Sequence, residues 1–286
     1  MMSPHFLDPA ALRSVRALLD MALSEDIGTG DITSATTIPA GTSAHAVLLA
    51  KADGVLAGMP IVAEVMAMVD PGLVVHPLLA DGTPITRGEH LAEISGPARS
   101  LLTAERTALN FLQRMSGIAT TTAKYVEAVA GTAARIVDTR KTVPGHRVLD
   151  KYAVRVGGGH NHRFNLSDGV LIKDNHIAAL GGVAEAVRAA RERAPHTLKI
   201  EVEAVNREMV QHALDAGADI ILLDNMTLEE MRACVELVAG HALTEASGGV
   251  TLDSVRAIAE CGVDLISVGA LTHSVKALDI SLEFEA

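Results

Sequence analysis

Leu198-Lys199-Ile200-Glu201-Val202-Glu203 and Asp219-Ile220-Ile221-Leu222-Leu223-Asp224-Asn225 are two short apolar runs that end on acidic residues, separated by enough chain for one helix and two turns. Runs of that length read as buried strands, and a link of that size joins parallel neighbours rather than a hairpin. The pattern recurs on both sides. The strands it predicts cover residues 134–137, 169–172, 198–202, 219–223, 241–244 and 264–268. Their polar or small ends fall at Asp138, Lys173, Glu203, Asp224, Glu245 and Gly269, at steps of 35, 30, 21, 21 and 24 residues. Each step holds a strand, a helix and two loops.

Enzymes built this way carry their chemistry where the strands end, so the recurring charged ends define one functional face. Six strands are too few for a full eight-stranded barrel. The expectation is therefore an open or incomplete α/β barrel, with a doubly wound sheet as the alternative. Upstream, helical spacing over residues 8–23 gives way to turn formers at 24–31. Apolar runs at 46–50, 74–79 and 90–94, set between turns such as Asp70-Pro71-Gly72, predict a small antiparallel sheet crossed by a helix over 61–69. A long helix over 103–130 leads into the βα series. The turn rhythm of residues 81–91 is like that of lipoyl-carrier sheets but has no lysine at its tip, and is read as scaffold.

Composition narrows the function. Of 286 residues 49% are apolar, yet there is no Trp and only two Tyr and four Phe, so aliphatic side chains must fill the core. A net charge of −11 and the scarcity of aromatics argue against nucleic acid and anionic membranes as partners. Residues 1–13 lack a basic segment followed by an apolar one, which predicts a cytoplasmic protein. Cys234 and Cys261 are too few and too far apart for a disulfide framework or a CxxC pair. Against this acidic background, residues 138–176 carry seven Lys or Arg, four Asp and no Glu, a local balance of +3.

That cationic island supplies Arg140 and Lys141 after the first strand, His162 and Arg163 in Gly157-Gly158-Gly159-His160-Asn161-His162-Arg163, and Lys173 ending the second. Guanidinium groups grip carboxylates through paired hydrogen bonds and ammonium groups add compact charge, so the set suits a substrate with several carboxylates or phosphates. Glu201, Glu203 and Asp224 form an acidic counterpart of hard oxygen donors suited to Mg²⁺, with a general base or a salt bridge to the cations as alternatives. Glu201 and Glu203, two apart, share a strand face. Ser247-Gly248-Gly249 and Ser267-Val268-Gly269-Ala270 are small-residue strand ends able to close on phosphate oxygens. No Walker A or strand-linked GxGxxG pattern occurs, against NTPase and dinucleotide readings. His160 and His162 lack further ligands at transition-metal spacing.

Taken together, Asp138-Thr139-Arg140-Lys141-Thr142, the glycine-histidine stretch above, Leu171-Ile172-Lys173-Asp174-Asn175-His176, Glu201-Val202-Glu203, Leu222-Leu223-Asp224-Asn225, Glu245-Ala246-Ser247-Gly248-Gly249 and residues 267–273 resemble the quinolinate phosphoribosyltransferase family. Glu25-Asp26, Asp31-Ile32-Thr33 and Thr103-Ala104-Glu105-Arg106-Thr107 extend the resemblance over nearly the whole chain, in order. It implies an enzyme of NAD biosynthesis that joins quinolinate to 5-phosphoribosyl-1-pyrophosphate with Mg²⁺, releasing nicotinate mononucleotide, pyrophosphate and CO₂. It also implies an open seven-stranded α/β barrel, an N-terminal α/β sandwich domain and a homodimer, one strand more than the six counted above.

By the same resemblance the domains span 1–110 and 111–275, with 276–286 packing on the first. Arg140, His162, Arg163 and Lys173 would hold the two carboxylates, completed by Arg106 of the partner subunit. Lys141 would serve the phosphate side, Glu203 and Asp224 the ribose and the metal. Residues 247–249 and 267–269, with Thr139 and Glu245, would complete substrate binding. Two rivals remain on the residues alone: a lyase or aldolase using Lys173 or Lys141 as a Schiff-base nucleophile, and a non-catalytic anion-binding protein.

Overall fold

In a computed structural model, residues 9–285 are described, with side chains from residue 12 onward. The chain runs α1 (Pro9–Ile27), α2 (Ile32–Thr37), β1 (Ser43–Ala50), β2 (Gly54–Val55), α3 (Met59–Val69), β3 (Val74–Pro77), β4 (Pro84–Ile85), β5 (His90–Pro97) and α4 (Ala98–Ala128). It continues through β6 (Arg135–Val137), α5 (Arg147–Val156), β7 (Val170–Ile172), α6 (Asp174–Leu180), α7 (Val183–Arg193), β8 (Ile200–Ala204), α8 (Arg207–Asp215) and β9 (Ile220–Asp224). The last elements are α9 (Leu228–Val238), β10 (Leu243–Ser247), α10 (Leu252–Ala259), β11 (Leu265–Ser267), α11 (Ala270–His273) and β12 (Ile280–Phe284).

Two compact units divide the chain. Among the described residues the first comprises 9–123, 142–158 and 271–285, and holds an antiparallel sheet in the order β12-β1-β5-β3 with α3 packed on β3. The helix predicted to stop near residue 23 continues to Ile27. It ends where Gly28, at a left-handed φ of 54°, donates its N–H to the Ser24 carbonyl, so Ser24-Glu25-Asp26 is helix rather than turn. Asp8, the expected start, lies outside the described residues. α4 passes straight through Ser116-Gly117. A Cβ at Gly117 would sit 2.2 Å from the Lys276 carbonyl oxygen, so the glycine admits the backbone of the C-terminal segment. The Gln113 side chain then donates to the Ile280 carbonyl at 2.7 Å, and β12 pairs with β1 from Ala46↔Phe284 to Ala50↔Ile280.

The expected division at residue 110 falls inside α4, and α5, expected in the barrel, belongs to the first unit. Its fully buried Asp150 takes two hydrogen bonds from Arg114, at 3.0 and 2.8 Å, and the Tyr152 hydroxyl donates to Asp81 at 2.7 Å. An unpaired buried carboxylate is costly, so these bonds tie the segment to that unit.

The second unit, 124–141 and 159–270, is a parallel sheet in the order β6-β11-β10-β9-β8-β7. The first strand in sequence lies beside the last, which closes most of a ring. His160 forms an isolated parallel bridge to Val137, donating to the Ile136 carbonyl at 2.8 Å and accepting from the Asp138 N–H at 3.1 Å. A seventh strand position is thus present but reduced to one residue pair, which reconciles six countable runs with seven implied positions. Among the described residues no ladder joins His160 to β7, and there the barrel is open.

Two strands begin later than their apolar runs suggest. Leu198 closes a turn onto Pro195, and the left-handed pair Ala239 and Gly240 ends α9, so β8 and β10 run through Glu203 and Ser247. Among the described residues no helix is long and apolar enough to cross a membrane.

Candidate active site

At the C-terminal ends of the barrel strands lies a cavity of about 490 Å³. Thr139, Arg140 and Lys141 reach its wall from the loop after β6, His162 and Arg163 from the loop after the His160 bridge, and Lys173 from the end of β7. Glu203 comes from β8, Asp224 from β9, Glu245, Ser247, Gly248 and Gly249 from β10 and its loop, and Ser267 from β11. Two predicted residues do not line it: Gly269, just before α11, and Arg106, exposed on α4 in the first unit. Leu171, Leu222 and Asn225 line the cavity but were not singled out. Strand periodicity would have found Leu222, two residues before Asp224 on the same face.

Local bonds aim these groups. The buried Asp138 accepts from the Asn161 side chain at 2.6 Å and from the His162 N–H at 2.9 Å, which pins the glycine-rich loop. Arg163 donates its backbone N–H to His162 Nδ1 at 2.7 Å and its guanidinium to the Gly169 carbonyl at 2.9 Å. Burial, and then the neighbouring Arg140 charge, lower the Arg163 pKa from the ordinary guanidinium value. Two guanidinium groups held this close favour an anion between them.

Lys173 is ion-paired with Glu203. Asn225 takes a left-handed φ of 54°, donates its backbone N–H to the Ser247 carbonyl at 2.9 Å, and donates its side-chain amide to Asp224 at 2.8 Å. Gly248, at φ 99°, packs so close that a Cβ there would lie 2.1 Å from Asn225 Oδ1. Glycine is required at that point by contact as well as by conformation.

Glu201 and Glu203 share a face of β8 at different depths. The Glu203 side chain is 14% exposed on the cavity, whereas that of Glu201 is 5% exposed and lies 3.1 Å from His162 Nε2. Glu245 Oε1 is 3.7 Å from the same nitrogen. Burial, then the Glu201 charge, push the Glu245 carboxyl up to about 7, against the opposing pull of His162. Beneath this trio a second cavity of about 470 Å³ is lined by the strand starts at Arg135, Val170, Ile220 and Leu265, and again by His162, Arg163, Glu201 and Glu245.

For divalent metal, Glu203 and Asp224 offer hard carboxylate oxygens on the same wall, a set suited to Mg²⁺ shared with substrate oxygens. The ligating atoms of His162, Glu201 and Glu245 also lie within 4.8 Å of one another. There, however, the Arg163 N–H on Nδ1 places the imidazole proton on Nε2, so that nitrogen donates and is not offered to a metal.

An open α/β barrel that gathers four cations, two carboxylates and a glycine loop at its strand ends is an enzyme built for a small polyanionic substrate. Sequence comparison specifies the family. The models for the quinolinate phosphoribosyl transferase N-terminal and C-terminal domains match residues 31–116 and 118–283. The probable nicotinate-nucleotide pyrophosphorylase (carboxylating) of Bacillus subtilis is 47% identical over 271 residues, 94% of this chain and 93% of that protein. The nicotinate-nucleotide pyrophosphorylase (carboxylating) of Mycobacterium leprae is 45% identical over 276 residues, 94% and 97% of the two chains. The solved nicotinate-nucleotide pyrophosphorylase of Francisella tularensis superposes with a TM-score of 0.92 at 40% identity, over 96% of each chain. The chain belongs to the quinolinate phosphoribosyltransferase family.

Proposed function

We propose that this protein transfers the phosphoribosyl group of 5-phosphoribosyl-1-pyrophosphate to quinolinate with decarboxylation, giving nicotinate mononucleotide, pyrophosphate and CO₂ in NAD biosynthesis. The observation that carries the reading is the joint lining of one cavity by Arg140, Lys141, Arg163 and Lys173 and by Glu203, Asp224 and the Ser247-Gly248-Gly249 loop.

Arg140, Arg163 and Lys173, with His162 beside them, hold the two quinolinate carboxylates and fix the ring nitrogen toward the sugar, which mainly supplies position. Lys141 faces the phosphates. The 247–249 and 267–269 strand ends take the 5′-phosphate, and Thr139 and Glu245 complete the wall. Glu203 and Asp224 stabilise the positive charge that grows on the ribose carbon as pyrophosphate departs. The same two residues would hold Mg²⁺, which when bound neutralises charge on the leaving pyrophosphate.

Arg106 of the partner subunit completes the quinolinate pocket in a homodimer, and the protein acts in the cytoplasm. The ion pair of Lys173 with Glu203 suits a charge-bearing role for the lysine over that of a Schiff-base nucleophile. Incubation with quinolinate, phosphoribosyl pyrophosphate and Mg²⁺ should release CO₂ and pyrophosphate in equal amounts. Phosphoribosyl transfer without CO₂, or no turnover at all, refutes the reading.

A further inference from the structure

The reaction proposed above has a proton requirement. The quinolinate nitrogen forms a bond to the ribose carbon as the bond to pyrophosphate breaks. When the adjacent carboxylate leaves as CO₂, its bonding electron pair stays on the ring carbon, which must then take up one proton. Among the described residues of the barrel, Glu245 is placed for that task.

Glu245 lines the catalytic cavity and the second cavity beneath it, so its carboxyl belongs to the wall between them. It is 1% exposed, and its Oε1 has no hydrogen-bond partner. The groups facing it are Glu201 from β8, His162 from the glycine-rich loop, Asp138 after β6 and Ser267 from β11. His162 directs its Nε2 proton at Glu201, 3.1 Å away, and the carboxylates of Glu201 and Asp138 disfavour a third negative charge. Burial and these charges therefore keep Glu245 protonated up to about pH 7. Arg163, assigned above to a quinolinate carboxylate, follows His162 directly and lines both cavities as well.

We propose that Glu245 is the acid that protonates the ring carbon as CO₂ leaves, before CO₂ can recombine with it, and that the lower cavity returns a proton to it from solvent. The carboxyl gives its proton to the carbon lone pair and becomes a carboxylate. A solvent proton then restores it past the exposed Arg135 and Lys199 at the strand starts, without passing the bound nucleotide. The inference rests on the proposed reaction and adds a source for its proton.

Single-turnover measurement of pyrophosphate release and CO₂ release separates the two bond changes. In Glu245→Gln, CO₂ release should slow by on the order of 10²-fold, the lower range for loss of a general acid, and by at least about tenfold more than pyrophosphate release. Glu245→Asp should recover part of the CO₂ rate. Equal slowing of both products makes Glu245 a structural residue, and no slowing shows that solvent protonates the carbon directly; either overturns the inference. If the glutamine variant fails to fold, the wild-type pH profile decides. CO₂ release that falls as pH rises through about 7 while pyrophosphate release does not supports the inference, and parallel profiles overturn it. Wild-type protein that releases neither product refutes the proposed function instead.

Discussion

Raising the pH from 5 to 8 should cost the wild-type protein stability that a Glu245→Gln variant keeps. In the folded protein burial, then the Glu201 charge, hold the Glu245 carboxyl protonated up to about 7, while in the unfolded chain it ionises near its ordinary value of 4.5. Between those values the folded state binds more protons than the unfolded state, so unfolding free energy falls as pH rises. The contribution is fully present below pH 4.5 and is lost as pH passes through 7. The separation corresponds to about 3 kcal/mol. Glutamine is close to the protonated carboxyl in shape and does not titrate. Urea unfolding followed by circular dichroism suits a chain without Trp. The stability of the variant relative to wild type should rise by about 3 kcal/mol between pH 4.5 and pH 8. Parallel stability curves for the two proteins across that range would refute the reasoning, because Glu245 would then be ionised in its buried position without cost.

The remaining expectations are more local. Asp150→Ala leaves the Arg114 guanidinium without its buried partner, and should destabilise the first unit by about 3–5 kcal/mol in thermal or urea unfolding. Arg140→Ala and Arg163→Ala should each weaken quinolinate binding by about 10- to 100-fold, the loss of one charge-assisted contact, measured by calorimetry. Asp224→Asn should raise the KM for the phosphoribosyl donor more than it alters quinolinate affinity; equal effects on the two ligands would count against the division of roles. Gly248→Ala drives a Cβ into Asn225, and should impair use of the donor while leaving quinolinate affinity within about threefold, since the cations that hold quinolinate lie on other loops.

Much of the barrel was legible because parallel strands buried on both faces leave apolar runs of about the strand length. β6, β7, β9 and β11 lie within a residue or two of the runs that predicted them. The seventh position was not legible. It consists of a single bridge at His160, inside a polar stretch that carries no apolar run. Local pattern was equally silent on the return of α5 to the first unit. What decides it is the pairing of Arg114 with Asp150 and of Tyr152 with Asp81, residues 36 and 71 apart in sequence. Nor did the turn-forming composition of Ser24-Glu25-Asp26 stop α1, since the stop is set by the left-handed Gly28.

The site shows the same division between composition and register. A basic island in an acidic chain announced an anion-binding surface, and thirteen of the fifteen residues selected from strand ends and resemblance line one cavity. Sequence spacing alone left Glu201 and Glu203 equivalent, because a two-residue step places both on one face. Depth along the strand separates them. β8 begins at Ile200, so Glu203 reaches the mouth beside Lys173 while Glu201 stays one layer lower against His162. In register, Glu203 stands opposite Leu222 and Leu222 opposite Glu245, so an apolar side chain lies between the mouth carboxylate and the buried one. That layer gives two glutamates on neighbouring parts of one barrel different work: Glu203 meets an ammonium at the mouth, and Glu245, shut away from solvent beside another carboxylate, keeps its proton up to about pH 7.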